Sequence, residues 1–357
     1  MRILLLGGTG AMGLYLKEAL LASGNDVYIT SRKRHEGKGH LYYLKGDAHN
    51  FDFISSILHQ RWDAIVDFMV YSTEEFQERV ELMLNATAQY VFLSSSRVYA
   101  NHDSPIKENS PRLLDCCEDK TYLSTDEYAL KKAREESILL ESGRKNFTII
   151  RPYITYGQGR LQLEDLECNL WFSRALAGRT IVLSEDIANH YTTLTYGADV
   201  AAGIAAIIGN EDALGEIYHI TSNEPILWKD VLEIYLKIIE KKIGFKPKVH
   251  WIKRSLKLNN KKTQYQILYD RLYDRVFDNS KIKSVATSLQ FSSLQEGLEK
   301  SIEETLDSAG WNRFSPSKEA VFNRITKEHI SLSSFPSLKQ KVQYLYYRFI
   351  SFDKWPC

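Results

Sequence analysis

The stretch RILLLGGTGAMGLYLKEALLASG (2–24) places an apolar run, a glycine-rich turn and a helical pattern one after another. The leucine-rich run at 2–8 is typical of a strand that is buried on both faces. Residues 11–24 repeat apolar side chains at helical spacing, and Gly24 is a typical helix stop. The stretch therefore predicts a strand, a turn and a helix, and the turn is the informative part.

Three glycines in this turn, Gly7, Gly10 and Gly13, follow the spacing G-x-x-G-x-x-G. The N–H groups of the first helical turn point outward there, beside the positive end of the helix dipole. A pyrophosphate can approach such a backbone where no side chain blocks it, which glycine allows. A purely structural turn is the alternative, but the position after a first strand favours a dinucleotide site. We expect Gly7, Gly10, Ala11, Met12 and Gly13 to bind the cofactor.

Apolar runs and helical patterns alternate along the first half of the chain. Further strand-like runs lie at 26–32, 62–70, 90–96 and 146–153. This alternation predicts an α/β fold, a Rossmann-type doubly wound parallel sheet with helices on both faces. From about residue 157 the pattern becomes mixed, which predicts a smaller mixed C-terminal substrate lobe. The predicted parts are a dinucleotide-binding domain (1–156 and about 190–222), a substrate-binding lobe (157–189 and 223–310) and a C-terminal extension of unknown role (311–357).

The composition of the 357-residue chain excludes several classes of protein. Lys and Arg number 46 against 45 Asp and Glu, and the formal charge of +1 argues against a dedicated nucleic-acid binder. The four cysteines and the histidines show no metal-ligand spacing, so we predict neither a metal site nor disulfides, which fits a reducing compartment. The first apolar run is too short for a signal peptide, and no run approaches the roughly 20 apolar residues that span a bilayer. We therefore expect a soluble cytoplasmic protein.

The end of the second predicted strand bears on the choice of cofactor. NAD sites usually end this strand in an acidic residue, which binds the ribose 2′-hydroxyl. Here Ser31 stands at that place, and Arg32, Lys33 and Arg34 follow it. Serine and arginine can hydrogen-bond a 2′-phosphate that a carboxylate would repel. We predict NADP(H), with NAD(H) possible, and a solvated basic loop is the other interpretation.

A candidate acid–base pair lies at Tyr128 and Lys132. Of the 21 tyrosines, only Tyr128 has a lysine four residues later, and that spacing puts both side chains on one helical face. An ammonium beside a phenol favours proton transfer by the phenol near neutral pH. One strand and helix earlier, Ser94–Ser96 leave the carboxyl end of a strand, where ligands bind in open α/β sheets. One of these serines can hydrogen-bond the same substrate oxygen, while the others satisfy the strand end.

Seven segments in order along the chain carry a resemblance to a known family. They are GGTGAMG, GD (46–47), DAIVDFMV, FLSSSRVYA, YALKK, IIRPYITYGQG and GEIYHITSNEP. Over roughly residues 1–225 the sequence resembles extended short-chain dehydrogenases/reductases, in the nucleotide-sugar epimerase/dehydratase branch. The resemblance implies that Asp47 meets the adenine, that Phe68 and Met69 flank the cofactor, and that Tyr153 approaches the nicotinamide.

The resemblance also implies catalytic roles. Ser95 corresponds to the Ser/Thr of the family, Tyr128 to its acid/base and Lys132 to the partner that also holds the nicotinamide ribose. Dehydratases of the family carry Asp-Glu directly after the Ser/Thr, whereas this chain has Ser96-Arg97. Dehydration is therefore disfavoured, and we expect Ser96 and Arg97 to contact the substrate instead.

A second departure concerns the substrate diphosphate. Family members that use nucleotide-sugars usually carry an arginine seven residues before the aspartate of the D-V-A segment, here Asp199. Thr192 occupies that position in this chain. The candidate substitutes are Arg174, Arg179 and Arg271, and we take Arg271 as a substrate-binding residue.

The predicted function is an NAD(P)-dependent epimerase that acts on a nucleotide-sugar. An NADPH-dependent nucleotide-sugar 4-ketoreductase would use the same residues for a single hydride transfer and is the alternative. A non-catalytic RNA-binding or regulatory protein of the same fold is an alternative of another class. Under the favoured interpretation we expect no nucleic acid as a partner. The resemblance further implies a homodimer, and the basic, aromatic tail at 342–352 suggests contact with a partner subunit or a membrane surface.

Overall fold

The computed structural model describes residues 1–102, 105–258, 263–308, 310 and 315–350. The chain forms two compact units. The first comprises 1–155, 193–223 and 277–292, and the second comprises 156–192, 224–276 and the residues from 293 onward. The segment 277–292 thus belongs to the first unit, whereas its sequence pattern grouped it with the smaller lobe.

Short strands and helices alternate along most of the chain. In chain order the strands are β1 (Arg2–Leu6), β2 (Asp26–Ser31), β3 (Leu41–Lys45), β4 (Trp62–Asp67), β5 (Thr87–Leu93), β6 (Phe147–Pro152), β7 (Thr155–Tyr156), β8 (Ile181–Ser184), β9 (Tyr191–Thr192), β10 (Thr195–Tyr196), β11 (Glu216–Ile220), β12 (Ile226–Leu227) and β13 (Val249–Ile252). The α-helices are α1 (Ala11–Ala22), α2 (Phe51–Leu58), α3 (Thr73–Asn85), α4 (Leu113–Cys116), α5 (Lys120–Leu123), α6 (Tyr128–Glu141), α7 (Cys168–Leu176), α8 (Glu185–Ala188), α9 (Gly197–Ile207), α10 (Trp228–Ile243), α11 (Gln264–Gln266), α12 (Ser280–Val285), α13 (Leu294–Asp307), α14 (Pro316–Thr326) and α15 (Leu338–Phe349). Single helical turns of other types lie at Ser96–Val98, Glu211–Ala213, Ser255–Leu258, Ile267–Arg271 and Leu332–Ser334.

A seven-stranded sheet in the order β11-β6-β5-β4-β1-β2-β3 forms the centre of the first unit. Every neighbouring pair in it is parallel. Successive side chains of a strand point to opposite faces, so Ile3 and Leu5 enter one apolar core while Leu4 and Leu6 enter the other. The sheet is therefore covered on both faces, and the predicted α/β fold with a doubly wound parallel sheet is confirmed.

The parallel arrangement brings the carboxyl ends of the strands to one edge of this sheet. Strand β1 ends there before the glycine turn, β4 before residues 68–69, and β5 before the serines at 94–96. Helix α1 follows β1 directly, and α6 begins at Tyr128 between β5 and β6. The glycine turn, residues 68–69 and the serines at 94–96 thus lie along this carboxyl edge, while Tyr128 and Lys132 lie on α6.

The second unit combines small sheets with helices. Strands β8 and β13 pair in parallel, and β9 and β12 pair antiparallel, which gives the mixed character that the sequence predicts. Its core includes the buried rings of Trp171 on α7 and Tyr235 on α10, whose centroids lie 4.6 Å apart. Within the described residues, no helix has both the length and the apolar character that a membrane span requires.

Helix α14 of the C-terminal extension packs into the second unit through buried charges. Arg174 forms ion pairs with Glu319 on α14 and with Glu328 shortly after it. The backbone N–H of Thr180 donates a hydrogen bond to Glu328 at 2.9 Å. Arg174 is 1% exposed, so these carboxylates compensate for the hydration that its buried charge has lost. The extension is therefore an integral part of the second unit.

Candidate active site

The glycine turn after β1 forms a cradle of bare backbone. Gly7 has φ +71°, and a Cβ added there would lie 2.7 Å from the Sδ of Met69. A Cβ on Gly13 would overlap the carbonyl oxygen of Gly8, so the turn can pack against α1 only with glycine at position 13. Beside Gly10 the space is open, because nothing described lies within 4 Å of an added Cβ.

This cradle fits the pyrophosphate of a dinucleotide. Gly10 is the N-cap of α1 and supplies no side-chain cap, so the N–H groups of the first turn, at Ala11 and Met12, keep their capacity to bind an anion. The N–H of Gly7 donates to Oγ1 of Thr30 at 3.0 Å, which fixes the turn against β2. The open space and the anion-binding end of α1 therefore coincide.

The end of β2 is basic and exposed. Oγ of Ser31 accepts a hydrogen bond from the N–H of Lys33 at 3.2 Å. The side chains of Arg32, Lys33 and Arg34 are exposed, and none of them forms an ion pair with any residue that the structure describes. Three cations are thus available beside the position where NAD sites usually carry a carboxylate.

Asp47 lies in the turn after β3. The N–H of Gly46 donates to the carbonyl of Ser31 at 3.0 Å, which brings this turn beside the end of β2. The Asp47 carboxylate is exposed and accepts a hydrogen bond from the N–H of His49 at 3.1 Å. Asp47 therefore belongs to the same edge of the sheet as the basic loop.

The two residues after β4 connect the glycine cradle to helix α6. Phe68 donates its N–H to the carbonyl of Leu6 at 3.0 Å, which keeps this turn beside β1. The carbonyl of Met69 accepts a hydrogen bond from Nζ of Lys132 at 3.2 Å. Since the Met69 side chain lies against Gly7, the cradle, Met69 and Lys132 form a continuous set of contacts.

Lys132 lies one helical turn after Tyr128, but its ammonium points into a buried environment. It is 1% exposed, and Nζ lies 2.9 Å from the carboxylate of Glu135. The same ammonium lies 4.5 Å from the ring centroid of Phe92. Tyr128 itself is half-buried as the first residue of α6. Lys132 thus ties α6 to the turn after β4.

The turn that contains Ser95 lies beside the ring of Tyr128. Oγ of Ser95 accepts a hydrogen bond from the N–H of Arg97 at 3.2 Å. The Arg97 guanidinium lies 5.2 Å from the centroid of the Tyr128 ring and pairs with Glu127 at 2.6 Å. Glu127 also caps α6 by accepting a hydrogen bond from the N–H of Ala129 at 2.8 Å. Arg97 and Glu127 thus place the end of β5 against the start of α6.

The serines on either side of Ser95 have structural partners. Ser94 donates to the carboxylate of Glu136 at 2.6 Å. Ser96 is fully buried, and its hydroxyl donates to the carbonyl of Arg151 at 2.8 Å. The structure therefore gives Ser96 a backbone contact in place of the predicted substrate contact.

The segment after β6 combines a buried aromatic side chain with an unusual backbone conformation. Tyr153 is 2% exposed, and its ring centroid lies 5.3 Å from that of Phe277. The next residue, Ile154, has φ +23°, which is rare for a β-branched residue. The N–H of Thr195 donates to its carbonyl at 3.1 Å and supports this conformation. Such strain is found preferentially at functional sites.

The three arginines proposed to hold a diphosphate are engaged within the second unit. Arg271 is buried, pairs with Asp270, and donates from Nε to the carbonyl of Glu164 at 2.9 Å. Arg174 and Arg179 both pair with Glu319. The prediction that Arg271 contacts the substrate conflicts with its position, because it is 2% exposed and already engaged with Asp270 and with the Glu164 carbonyl.

Thr192, which stands where the resemblance predicts an arginine, is also buried. Its hydroxyl has no hydrogen-bond partner among the described residues.

The described residues also contain no group of three His, Cys, Asp or Glu side chains that could hold a metal ion.

A buried cluster of charged and phenolic groups beneath α6 is absent from the predictions. Asp67 at the end of β4 accepts a hydrogen bond from Tyr90 at 2.7 Å. The guanidinium of Arg79 on α3 lies 4.5 Å from the ring centroid of Tyr71. Burial raises the pKa of Asp67 and raises that of Glu135 to about 7, although Lys132 opposes both shifts. The only sequence signal for this cluster is that Glu135 shares a helical face with Lys132.

Two known proteins are similar in sequence to this chain. The chain is 29% identical over 240 residues to the chloroplast stem-loop binding protein of 41 kDa b of Arabidopsis thaliana, a match that covers 62% of this chain and 59% of that protein. It is 24% identical over 246 residues to the 2'-dehydrokanamycin reductase of Streptomyces kanamyceticus, which covers 65% of each protein. The matches thus span less than two thirds of these relatives.

The fold also matches solved structures. The UDP-glucuronic acid 4-epimerase from Bacillus cereus, in complex with UDP-glucuronic acid and NAD, superposes with a TM-score of 0.66 at 17% identity and covers 86% of this chain and 99% of that one. The profile of the NAD dependent epimerase/dehydratase family matches residues 3–221, more than half of the sequence. The chain therefore belongs to the NAD dependent epimerase/dehydratase family.

Proposed function

We propose that the protein is an NAD(P)-dependent epimerase that acts on a nucleotide-sugar by hydride transfer, with Tyr128 as acid and base. The continuous contact from Gly7 through Met69 to Lys132 carries the proposal. It joins the cradle that fits a dinucleotide to the helix that begins with Tyr128.

The bound cofactor would lie with its pyrophosphate at Gly7, Gly10 and Gly13. When bound, its nicotinamide supplies or accepts the hydride. Tyr128 then exchanges a proton with the hydroxyl or keto oxygen of the sugar carbon that reacts. Oγ of Ser95 already accepts from a backbone N–H, so its own hydrogen is available to donate to the same oxygen.

Arg97 and Glu127 would hold the side chain of Tyr128 in position. The guanidinium attracts the face of the Tyr128 ring, and Glu127 holds both Arg97 and the start of α6. Water elimination in relatives that dehydrate uses a carboxyl pair at the positions of Ser96 and Arg97. Neither residue here can serve as a carboxyl acid, so the proposal disfavours dehydration.

We expect NADP(H) as the cofactor rather than NAD(H). The support is the exposed set of Arg32, Lys33 and Arg34 after Ser31. A 2′-phosphate would bring its negative charge to these cations, whereas an unphosphorylated ribose would leave them without a partner.

The second candidate is an NADPH-dependent nucleotide-sugar 4-ketoreductase. It is favoured by the basic end of β2 and by the similarity to a reductase. Mass analysis of nucleotides released by denaturing the purified protein separates the two. An epimerase retains its cofactor through turnover and should release about one equivalent, whereas a reductase should be isolated with an empty site.

Replacement of Tyr128 tests the hydride-transfer proposal itself. We expect Tyr128→Phe to lower the rate of hydride transfer at least about 100-fold, because the proton donor is lost. Dinucleotide binding should persist, since the cradle is unchanged. Tyr42→Phe is the matched control, because it removes the hydroxyl of an exposed tyrosine on β3. Equal rates for Tyr128→Phe and the control would exclude Tyr128 as the acid and base.

A binding function of another class is favoured by one observation, the similarity to the stem-loop binding protein. Under this alternative the basic loop at 32–34 would meet the phosphates of an RNA stem-loop. Retention of such an RNA that weakens with salt and is unchanged in Tyr128→Phe would support it.

The homodimer implied by the resemblance stays a prediction.

A further inference from the structure

Helix α15 carries an apolar stripe that is exposed to solvent. Six large apolar side chains in thirteen residues form it, and we call them the apolar stripe. They are Leu338 (77% exposed), Val342 (58%), Leu345 (37%), Tyr346 (45%), Phe349 (59%) and Ile350 (67%). The recurrence at 338, 342, 345 and 349 places these four side chains on one helical face, and Tyr346 and Ile350 lie to one side of them. An exposed apolar surface of this kind marks an interaction site.

The opposite side of α15 is anchored, so the helix cannot rotate to bury the stripe. The hydroxyl of Tyr344 accepts a hydrogen bond from Asn323 on α14 at 3.1 Å. The ring of Tyr344 lies 5.0 Å from that of Phe335, and both are buried. Arg348 donates to the carbonyl of Glu328 at 3.1 Å. The exposure of the apolar stripe therefore follows from the packing of the other face.

The charges of α15 and of the segment that leads into it have a single sign. No Asp or Glu occurs from residue 329 to residue 352, although the surfaces of soluble domains usually mix both signs. Counting along the helix at 3.6 residues per turn, Lys339 and Lys341 lie on the two sides of the row formed by residues 338, 342, 345 and 349. The surface is therefore apolar in the middle and cationic at its borders, which complements an anionic partner with an apolar interior.

We propose that the apolar stripe docks on an anionic lipid bilayer surface, with α15 lying parallel to it. A bilayer accepts a convex helix face without a matching groove, while its headgroups meet the lysines. Pairing with a second copy is less favourable, because it would bring the lysine borders of both copies together with no carboxylate in the segment to neutralise them. An acidic protein partner would need a groove shaped for the stripe.

Sedimentation with vesicles tests this inference. The full chain is mixed with sucrose-loaded vesicles of phosphatidylcholine that contain about 30% phosphatidylserine, or none. We expect sedimentation with the anionic vesicles only, and its loss between about 0.05 M and about 0.5 M salt. Phe349→Glu should lower the partition coefficient at least about tenfold, because an apolar contact is lost and a like charge meets the headgroups. Lys339→Gln with Lys341→Gln should also lower it about tenfold.

Leu306→Glu is the matched control, because Leu306 is an exposed leucine on α13 of the same unit. It should sediment like the wild type, and circular dichroism should show that every variant is folded. Failure of the wild type to sediment at low salt would overturn the proposal. So would equal sedimentation of Phe349→Glu and the wild type, or light scattering that shows a dimer dissociated by Phe349→Glu without any vesicle binding.

Discussion

Glu135 couples protonation to folding at the scale of a single residue. Burial raises the pKa of its carboxyl from the usual 4.5 to about 7, with Lys132 opposing the shift. The folded protein therefore binds this proton more tightly than the unfolded chain does. The resulting stabilisation is complete below pH 4.5 and is lost as the pH rises through 7.

We expect Glu135→Gln to remove this pH dependence. In the wild type the group should lower the free energy of unfolding by up to about 3 kcal/mol as the pH rises from about 4.5 to about 7. Urea unfolding at a series of pH values measures the slope. Glu141→Gln is the control, because Glu141 is exposed on the same helix. Identical slopes in Glu135→Gln and the wild type would contradict the role given to Glu135.

Arg32 is the residue on which the cofactor preference depends. We expect Arg32→Ala to weaken NADP(H) binding at least about tenfold and to leave NAD(H) binding within about twofold, because only NADP(H) carries the 2′-phosphate. Calorimetric titration with each dinucleotide measures both. Arg61→Ala, which removes an exposed arginine before β4, should leave both affinities unchanged. An equal loss for the two cofactors would reject the assignment to the 2′-phosphate.

Local spacing reveals some site residues and conceals others. Tyr128 and Lys132 can be paired from the sequence because their relation is a property of one helix. The contact between Asp67 and Tyr90 joins two strands, and Arg79 reaches the same cluster from a third element, so no local pattern records it. The three serines after β5 look alike in local spacing. The resemblance to the family points to Ser95, and the structure adds the partners of the other two, Glu136 for Ser94 and the Arg151 carbonyl for Ser96.

At the scale of elements, the turn between β1 and α1 separates two roles of glycine. We expect Gly13→Ala to lower the free energy of unfolding by about 1–3 kcal/mol, because its methyl group would overlap the Gly8 carbonyl. Gly10→Ala should leave stability nearly unchanged, since the space beside it is open and its φ of −83° suits alanine. Its methyl group should instead occupy the cradle and weaken dinucleotide binding at least about tenfold.

Urea unfolding and dinucleotide titration of both variants check this separation. Each variant is the control for the other, because both exchange glycine for alanine at the beginning of α1. A Gly10→Ala variant that binds dinucleotide like the wild type would show that the cradle is not used for the pyrophosphate.

The elements themselves follow the sequence closely where they are buried. The helix predicted at 11–24 is α1, and the run predicted at 62–70 contains β4, which ends at Asp67 because its carboxylate accepts the N–H of Met69 and turns the chain. Strand β3 (Leu41–Lys45) has no counterpart among the predicted runs. It lies at the edge of the sheet with Tyr42 exposed, so it lacks the continuous apolar character of a central strand.

At the scale of the whole molecule, the C-terminal extension could not be placed from the sequence because its contacts are distant along the chain. Arg174 and Glu319 are separated by 145 residues, and neither belongs to a recognisable motif. The pair nevertheless joins α7 to α14 in the interior of the second unit. The extension therefore contributes to the stability of that unit as well as carrying the apolar stripe.

Replacement of Arg174 tests how far the second unit depends on its extension. We expect Arg174→Met to lower the free energy of unfolding by about 3 kcal/mol, because Glu319 and Glu328 lose a partner that is 1% exposed. Lys246→Met is the matched control, since it removes a pair with Glu233 in which both side chains are about half exposed, and should cost less than about 1 kcal/mol. Urea unfolding followed by tryptophan fluorescence compares them, because Trp171 lies on the same helix as Arg174. Equal losses in the two variants would mean that the buried pair does not hold the extension in place.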